Sequence, residues 1–468
     1  MTRALRAIPF VIALTVAAVF TFRPTYDPDL FWHLAQGRHD VQAGLVRTNV
    51  FSAVHANYPQ HYTSWGFEVL LERSYEFGRS YEAGRSYGYL SVQLLQAALL
   101  LTAFLMLYAA ARTKGSRAAA LTVLLLALFV VEPRAMPRPY LISFIGFAFC
   151  SWWLNRKPSM VNGQWPMVIA LAVWSNFHSE SLFGLVLVFL SGKLHGSTWP
   201  YMLRRWSLCA LATLATPYGW GLWRYLYENT AVPSALRIAE LEAPTLAAYP
   251  AFFAFLAVLA IALASMPRRL KVSEIAVAVF FAGLGLRYIR FMPMVVFATA
   301  PILADRIQAW IERGWDRRAV LATAMAIMVV TAPASPQRML AAWRTGDAAL
   351  APKEYFSEAA IEFIRANDLK TPMFNSMNLG GYLDWKLGGH TFIDSRLQAA
   401  PREFFVALTD ASADADKWKS LVKDADWAVL SLARPSDISG VGKFNAPEWL
   451  PVFQDQAVEI LARRPTSR

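Results

Sequence analysis

Two carboxylates, Asp27 and Asp29, stand two residues apart just after the first long apolar stretch of the chain. A pair of carboxylates beside a membrane surface can act as a general base or hold a divalent cation, which makes such a cation the candidate cofactor. The same residues also suit the start of a helix, because Asp27 is a good N-cap and Asp29 interacts favourably with the helix dipole. Their spacing alone leaves the catalytic and the capping interpretations open.

A second polar group follows the apolar run that begins at Trp165 and consists of Asn176, His178 and Glu180. Ionisable side chains at the end of a membrane span tend to face the interior of a helix bundle or a water-filled cavity, where they bind substrates or ions. The alternative is that the helix ends there and that these groups are solvated in a turn. This second cluster is therefore a candidate for substrate binding.

Three arginines, Arg138, Arg287 and Arg290, lie at ends of other apolar runs. A guanidinium group can bind a phosphate through two parallel hydrogen bonds, so these residues could hold an anionic headgroup. The competing interpretation is that they extend to lipid headgroups from the ends of the spans. Glu240 and Glu242 are predicted to be solvated loop residues. Neither the histidines nor the two cysteines show the spacing of a zinc site.

The amino-acid composition predicts that these groups belong to a membrane protein. The 468 residues are 56% hydrophobic and only 17% charged, with a mean hydropathy of +0.32, which is too apolar for a soluble globular chain. The net charge of +12 arises from Lys and Arg residues that cluster in short connections between apolar runs. Such clusters are a topology signal, so nucleic acid is not an expected partner.

About eleven apolar runs are long enough to be candidate spans, although several are short. Every second connection between them is basic, which places those connections and the N-terminus in the cytoplasm. The first run has no small-residue cleavage site after it and is expected to be retained. Because the number of spans is odd, the C-terminus is placed outside the cytoplasm, together with the first loop, residues 23–88. The runs are Leu5–Phe22, Tyr89–Ala111, Ala118–Val131, Tyr140–Leu154, Trp165–Phe177, Leu182–Leu194, Trp206–Thr216, Tyr249–Met266, Ile275–Leu286, Met292–Leu303 and Ala319–Ala332.

The sequence therefore divides into a transmembrane domain, residues 1–332, and an extracytoplasmic α/β domain, residues 333–468. In the second domain short β-type runs alternate with helical patterns, which is typical of a small doubly wound sheet with a closing hairpin. The runs are Met373–Phe374, Thr391–Ile393, Trp427–Leu432, Leu450–Phe453 and Ala457–Leu461. Two polar groups follow the first and the second run, where open α/β sheets bind ligands, although turn chemistry explains the Asn and Gly residues equally well. The first group is Asn375, Ser376, Asn378, Gly380 and Gly381, and the second is Asp394, Ser395 and Arg396.

Several segments carry a family likeness that covers most of the chain. They resemble blocks of a group of bacterial membrane proteins with the architecture of GT-C-type glycosyltransferases. The segments include DPDLFWHLAQGR (Asp27–Arg38), TSWGFEVLLE (Thr63–Glu72), MPRPYLISF (Met136–Phe144), WSNFHSESLFG (Trp174–Gly184), RYIRFMPM (Arg287–Met294), FNSMNLGGYL (Phe374–Leu383) and FIDSR (Phe392–Arg396). One departure is that Ser179 and Glu180 follow His178, where the group usually has a small residue or glycine.

The resemblance implies a GT-C-like polytopic helical protein of the bacterial inner membrane. In GT-C enzymes an acidic residue of the first outer loop is the catalytic base or binds metal, which implies such roles for Asp27 and Asp29. The donor of GT-C enzymes is a polyprenyl-phosphate sugar, so the resemblance implies a lipid-linked donor for this chain as well. The residues predicted to bind substrate are His33, Arg138, Asn176, His178, Glu180, Arg287 and Arg290.

The expected function is that of an integral membrane glycosyltransferase, which moves a hexosyl or pentosyl group from the lipid donor to a cell-envelope glycan, lipid or protein on the outer face. The first alternative is a lipid or polysaccharide transporter or flippase, which favours inverted repeats that are not found in the sequence. The second alternative is a membrane-anchored binding protein without catalytic activity.

Overall fold

The computed structural model describes residues 3–22, 27–60, 63–80, 88–156, 163–191, 198–230, 238–265, 270–331, 355–369, 372–433, 440–444 and 448–464. The boundary predicted between residues 332 and 333 lies outside these ranges. The chain divides into two compact units. The first comprises Met1–Arg23, Gln93–Leu222 and Arg237–Gly346, and the second comprises Pro24–Val92, Trp223–Leu236 and Asp347–Arg468.

The described residues form mostly helices, and a helix overlaps each of the predicted apolar runs. In chain order the helices are α1 Arg3–Thr21, α2 Asp29–Ala43, α3 Trp65–Ser80, α4 Gly88–Arg112, α5 Arg117–Val131, α6 Tyr140–Asn155, α7 Trp165–Ser175, α8 Ser181–Leu190, α9 Trp199–Ala212, α10 Gly221–Thr230, α11 Pro250–Ala264, α12 Val272–Arg287, α13 Met292–Glu312, α14 Arg317–Thr331, α15 Glu358–Ala366, α16 Met377–Leu387, α17 Arg402–Ala413 and α18 Ala415–Leu421.

Among the described residues, two helical segments, Gly88–Arg112 and Ile289–Glu312, are long and apolar enough to cross a membrane by length and composition. Five further apolar helices are shorter, at 10–17 residues. The number of spans therefore stays a prediction.

Helix α13 forms the centre of the first unit, where it packs against α5, α6, α11 and α12. Most of its side chains are buried, and Phe297 stacks on Phe144 of α6 with ring centroids 5.2 Å apart. Near its C-terminal end the buried Arg306 donates to Glu274 of α12 at 2.8 Å. A buried charge needs such a partner, so this ion pair fixes how the two helices align.

In the second unit, α2 packs against α3 and α16. In its sequence Leu30, Leu34 and Val41 share a face while Gln36 and Asp40 point elsewhere, a pattern that predicts an amphipathic interfacial helix with exposed polar residues. That prediction is wrong, because both side chains are buried and Gln36 donates to Asp40 at 2.9 Å. Helices on two sides cover α2, and the polar residues satisfy one another inside the interface.

The tail of the chain contributes a four-stranded sheet with strand order β1, β2, β4, β3. Its strands are β1 Met373–Asn375, β2 Trp427–Ser431, β3 Trp449–Gln454 and β4 Val458–Arg463. Strands β1 and β2 are parallel, whereas β4 is antiparallel to both of its neighbours. The predicted closing hairpin is confirmed. The predicted strand at Thr391–Ile393 is not, because Thr391 forms only an isolated bridge with Ser52 of the first loop.

Candidate functional site

The acidic pair stands at the start of α2 in the second unit. Asp27 is buried, and its Oδ1 accepts a hydrogen bond from the backbone N–H of Asp29 at 3.1 Å. The half-buried Asp29 in turn accepts a hydrogen bond of 2.6 Å from the hydroxyl of Ser395, in the FIDSR segment of the tail. Asp27 thus holds the residue that begins α2, although the cap of the helix is Pro28, which makes no side-chain hydrogen bond. A catalytic role for the pair stays a prediction.

His33 lies one helical turn beyond Asp29 and contacts a glutamate that we did not single out from the sequence. Its Nδ1 is 3.2 Å from Oε1 of Glu68 on α3, and both side chains are buried. Burial raises the pKa of Glu68 well above its ordinary value, and Asp40 raises it further, while Arg396 opposes the shift. The available signal was the spacing of Glu68 and Glu72, which puts two carboxylates on one face of α3.

Glu72 forms the other polar link between the two loop helices. Its Oε1 accepts a hydrogen bond from Nε of Arg38 at 2.9 Å, and Arg38 also donates to the carbonyl of Trp385 on α16 at 3.1 Å. Burial raises the pKa of Glu72 from 4.5 to about 7 despite the favourable charge of Arg38. This carboxyl group is therefore partly protonated near neutral pH.

The raised pKa of Glu72 predicts a specific dependence of stability on pH. Between about pH 4.5 and pH 7 the folded chain binds more protons at this site than the unfolded chain, so the free energy of unfolding falls as pH rises through that window. We expect the drop in Tm between about pH 5 and pH 8 to be smaller in Glu72→Gln, which keeps an acceptor for Arg38. Glu76→Gln, on the same helix, is the control, and an unchanged drop in Glu72→Gln would contradict the assignment.

An ionic network holds the FIDSR segment in the tail. Asp394 accepts hydrogen bonds from the backbone N–H of Arg396 at 2.7 Å and from its Nε at 3.0 Å. Arg396 also lies 3.6 Å from Asp384 on α16, and all three side chains are buried. Burial raises the pKa of Asp384 and the nearby Asp394 raises it further, whereas Arg396 opposes the shift. Ser395 therefore sits between two immobilised neighbours.

A cluster of arginines surrounds Glu240 in the first unit. Glu240 binds Arg134, which follows α5, and its other oxygen lies 3.8 Å from Arg290. Burial would raise the pKa of Glu240, but Arg134, Arg290 and Arg138 together hold it far below its ordinary value. Glu242 is exposed, as predicted, whereas Glu240 is half-buried and ion-paired, and the guanidinium groups compensate its charge. Arg287 is exposed and stacks instead on the ring of Tyr288, at 4.6 Å.

The second polar group predicted from the sequence is also brought together in the first unit. Nδ1 of His178 is 2.8 Å from the hydroxyl of Ser143 and 3.4 Å from Oε2 of Glu180. His178 and Glu180 are buried, so the solvated-turn alternative is wrong for them. The amide of Asn176 donates to the carbonyls of Ala172 and Ala215 at 2.8 Å each and joins the end of α7 to the segment after α9. A role of Asn176 in substrate binding stays a prediction.

The sequence-predicted residues are therefore found in two places. Asp27, Asp29 and His33 belong to the second unit, whereas Arg138, Asn176, His178, Glu180, Arg287 and Arg290 belong to the first. Among the residues described, no three His, Cys, Asp or Glu side chains come together in a way that could hold a metal ion. Asp27 and Asp29 supply only two carboxylates, and both already accept hydrogen bonds, so we derive no chemical step through a metal.

Comparison with solved structures identifies the fold. The apo oligosaccharyltransferase of Archaeoglobus fulgidus matches with a TM-score of 0.61 at 12% identity, over 90% of this chain and 69% of that chain. ArnT from Cupriavidus metallidurans, bound to undecaprenyl phosphate, matches with a TM-score of 0.56 at 14% identity over 99% of both chains. Its apo state gives the same TM-score at 15% identity over 98% of both chains. No protein-family model matches the chain, and no curated protein matches it. The chain has a GT-C-like fold, as the sequence resemblance implied.

Proposed function

We propose that this chain is an integral membrane glycosyltransferase that transfers a sugar from a polyprenyl-phosphate donor to an acceptor outside the cytoplasm. The observation that carries the proposal is the cluster of Arg134, Arg138 and Arg290 around Glu240, on a GT-C-like fold. Three guanidinium groups lie close enough to act on one carboxylate, and guanidinium groups are the donors that bind phosphate through paired hydrogen bonds. The ArnT structure, with undecaprenyl phosphate bound, supports a lipid phosphate as the ligand.

The arginine cluster would serve both donor binding and the reaction itself. When the bond between sugar and phosphate breaks, negative charge develops on the phosphate, and preorganised cations stabilise that charge. The buried Nε atoms of Arg134 and Arg290 have no hydrogen-bond partner within the described part of the chain. Buried donors without a partner are uncommon and are typical of sites that bind an ion or ordered water.

Asp27 or Asp29 would be the general base that takes the proton from the acceptor hydroxyl. A single displacement at the anomeric carbon then forms the new glycosidic bond and releases polyprenyl phosphate, with inversion of configuration. Asp29 is the more accessible of the two, and Ser395 holds its carboxylate in place. His33 would contact the sugar or the acceptor from the next turn of the same helix. In the first unit His178 and Glu180, which contact each other, would serve substrate binding.

The proposed location is the bacterial inner membrane, with the N-terminus in the cytoplasm and the tail outside. The polar first loop and the tail would then meet an acceptor of the cell envelope, which is a glycan, a lipid or a protein. The donor transfers a hexosyl or a pentosyl group.

A vesicle assay separates this proposal from the flippase alternative. Purified protein is reconstituted with a polyprenyl-phosphate sugar that carries a labelled sugar, and envelope extracts supply the acceptors. We expect the label to leave the lipid and to appear on an acceptor or, more slowly, on water. A flippase would instead move the lipid across the bilayer with its sugar still attached, and that result would contradict the proposal.

A further inference from the structure

The tail of the chain is tied to the helix that carries the acidic pair. Ser395 donates its hydroxyl hydrogen bond of 2.6 Å to Oδ1 of Asp29, and the backbone N–H of Asp29 donates to Asp27. Ser395 thus contacts Asp29 directly and is linked to Asp27 through the backbone of Asp29. A hydrogen bond to the ionised form of a carboxylate stabilises that form and fixes its orientation.

The ionic network around Ser395 restricts where its hydroxyl can point. Asp394 and Arg396, the residues on either side, are 4% and 1% exposed and bond to each other through the side chain and the backbone. The guanidinium of Arg396 also lies 4.9 Å from the ring centroid of Phe51, which belongs to the first loop. The serine is therefore held from both sides by residues that have little freedom to move.

Close backbone packing brings the tail and the first loop together over a wider surface. A Cβ atom at Gly381 would lie only 2.9 Å from the backbone nitrogen of Trp32, so a larger residue there would push α16 away from α2. The carbonyl of Phe51 accepts backbone hydrogen bonds from His390 and Thr391 at 2.6 Å and 3.1 Å. Asn49 donates to the carbonyl of Ala399 at 2.7 Å. These contacts set the distance between Ser395 and Asp29.

From this geometry we infer that Ser395 is a positioning residue for the acidic pair, and that the tail domain serves catalysis by presenting it. The catalytic part of this inference rests on the proposed function. The hydrogen-bonded link between Ser395 and the start of α2, which we call the tether, does not depend on that function. Without the hydroxyl, the carboxylate of Asp29 loses a donor and gains rotational freedom. The start of α2 also becomes easier to open.

Ser395→Ala is the test variant, Ser395→Thr restores a hydroxyl, and Ser412→Ala is the matched control. Ser412 lies in α17 of the same unit and donates only to the carbonyl of Thr409 within its own helix. Hydrogen–deuterium exchange of the full chain in detergent reports on the tether. We expect amides at the start of α2 to exchange at least ~5-fold faster in Ser395→Ala, and at the wild-type rate in the other two variants.

Transfer kinetics report on catalysis. We expect Ser395→Ala to lower kcat by about 10-fold, the scale of one hydrogen bond to a charged group, with the KM for the lipid donor unchanged. Ser395→Thr should restore kcat. A merely structural serine would lower Tm and leave kcat per folded molecule unchanged.

Unchanged exchange at the start of α2 in Ser395→Ala would overturn the hydrogen-bonded link between Ser395 and α2. Faster exchange together with a wild-type kcat would overturn the positioning role. If the wild-type chain turns over no lipid-linked sugar, the proposed function and the catalytic part of this inference fail together, while the exchange rates still decide the tether. If Ser395→Ala does not fold, the thermal unfolding of the other two variants decides. A wild-type Tm in both Ser395→Thr and Ser412→Ala would support the link through the hydroxyl. A Ser395→Thr chain that also fails to fold would overturn it.

Discussion

Replacing Asp29 with Asn is expected to lower sugar transfer by at least ~10²-fold, which is the usual scale for the loss of a general base. The substitution preserves the size of the side chain and leaves an amide oxygen that can still accept the hydrogen bond of Ser395. We therefore expect Tm and binding of the lipid donor to remain close to those of the wild type.

Asp27→Asn is the comparison that decides which member of the pair takes the proton. Asn orders a helix start about as well as Asp, so a capping role alone predicts a loss of at most about 1 kcal/mol in stability and little loss of activity. The variant with the larger loss of kcat identifies the base. Full activity in both variants would show that neither carboxylate is catalytic.

Arg290→Gln is expected to weaken binding of polyprenyl phosphate by at least ~10-fold, because it removes a cation from the cluster around Glu240. Arg287→Gln is the matched control in the same segment. Arg287 is exposed and stacks on Tyr288, so we expect its loss to change the affinity by less than ~3-fold.

The measurement is a titration of purified protein in detergent with undecaprenyl phosphate at two salt concentrations. Binding to the cluster predicts that the wild type loses affinity as salt rises and that Arg290→Gln loses less. Equal affinities for Arg287→Gln and Arg290→Gln would contradict the assignment of the phosphate to this cluster.

The comparison of sequence and structure shows which features local patterns can predict. The apolar runs located the helices, and the spacing of Leu450–Phe453 and Ala457–Leu461 located the hairpin of β3 and β4. Such features depend on residues that are near one another in the chain. The run at Thr391–Ile393 has the same pattern but forms no strand of the sheet, because its partner is Ser52 of the first loop.

The contacts of the candidate site join distant parts of the chain, and single-sequence patterns do not show them. Glu240 resembles any acidic loop residue until Arg134 and Arg290 are placed beside it. Ser395 follows a predicted strand, yet its partner Asp29 is 366 residues away. Glu68 and Glu72 had a local signal in their helical spacing, and only burial between α2 and α3 distinguishes them from an ordinary exposed pair.

We expect the chain to break the bond between a sugar and a polyprenyl phosphate. A single-turnover reaction with purified protein and doubly labelled donor tests it most directly, because it counts polyprenyl phosphate released and sugar transferred in the same sample. We expect both products in equal amounts from the wild type, and at least ~10²-fold more slowly from whichever of Asp27→Asn and Asp29→Asn removes the base. Donor that stays intact in the presence of wild-type protein and envelope acceptors would contradict the account.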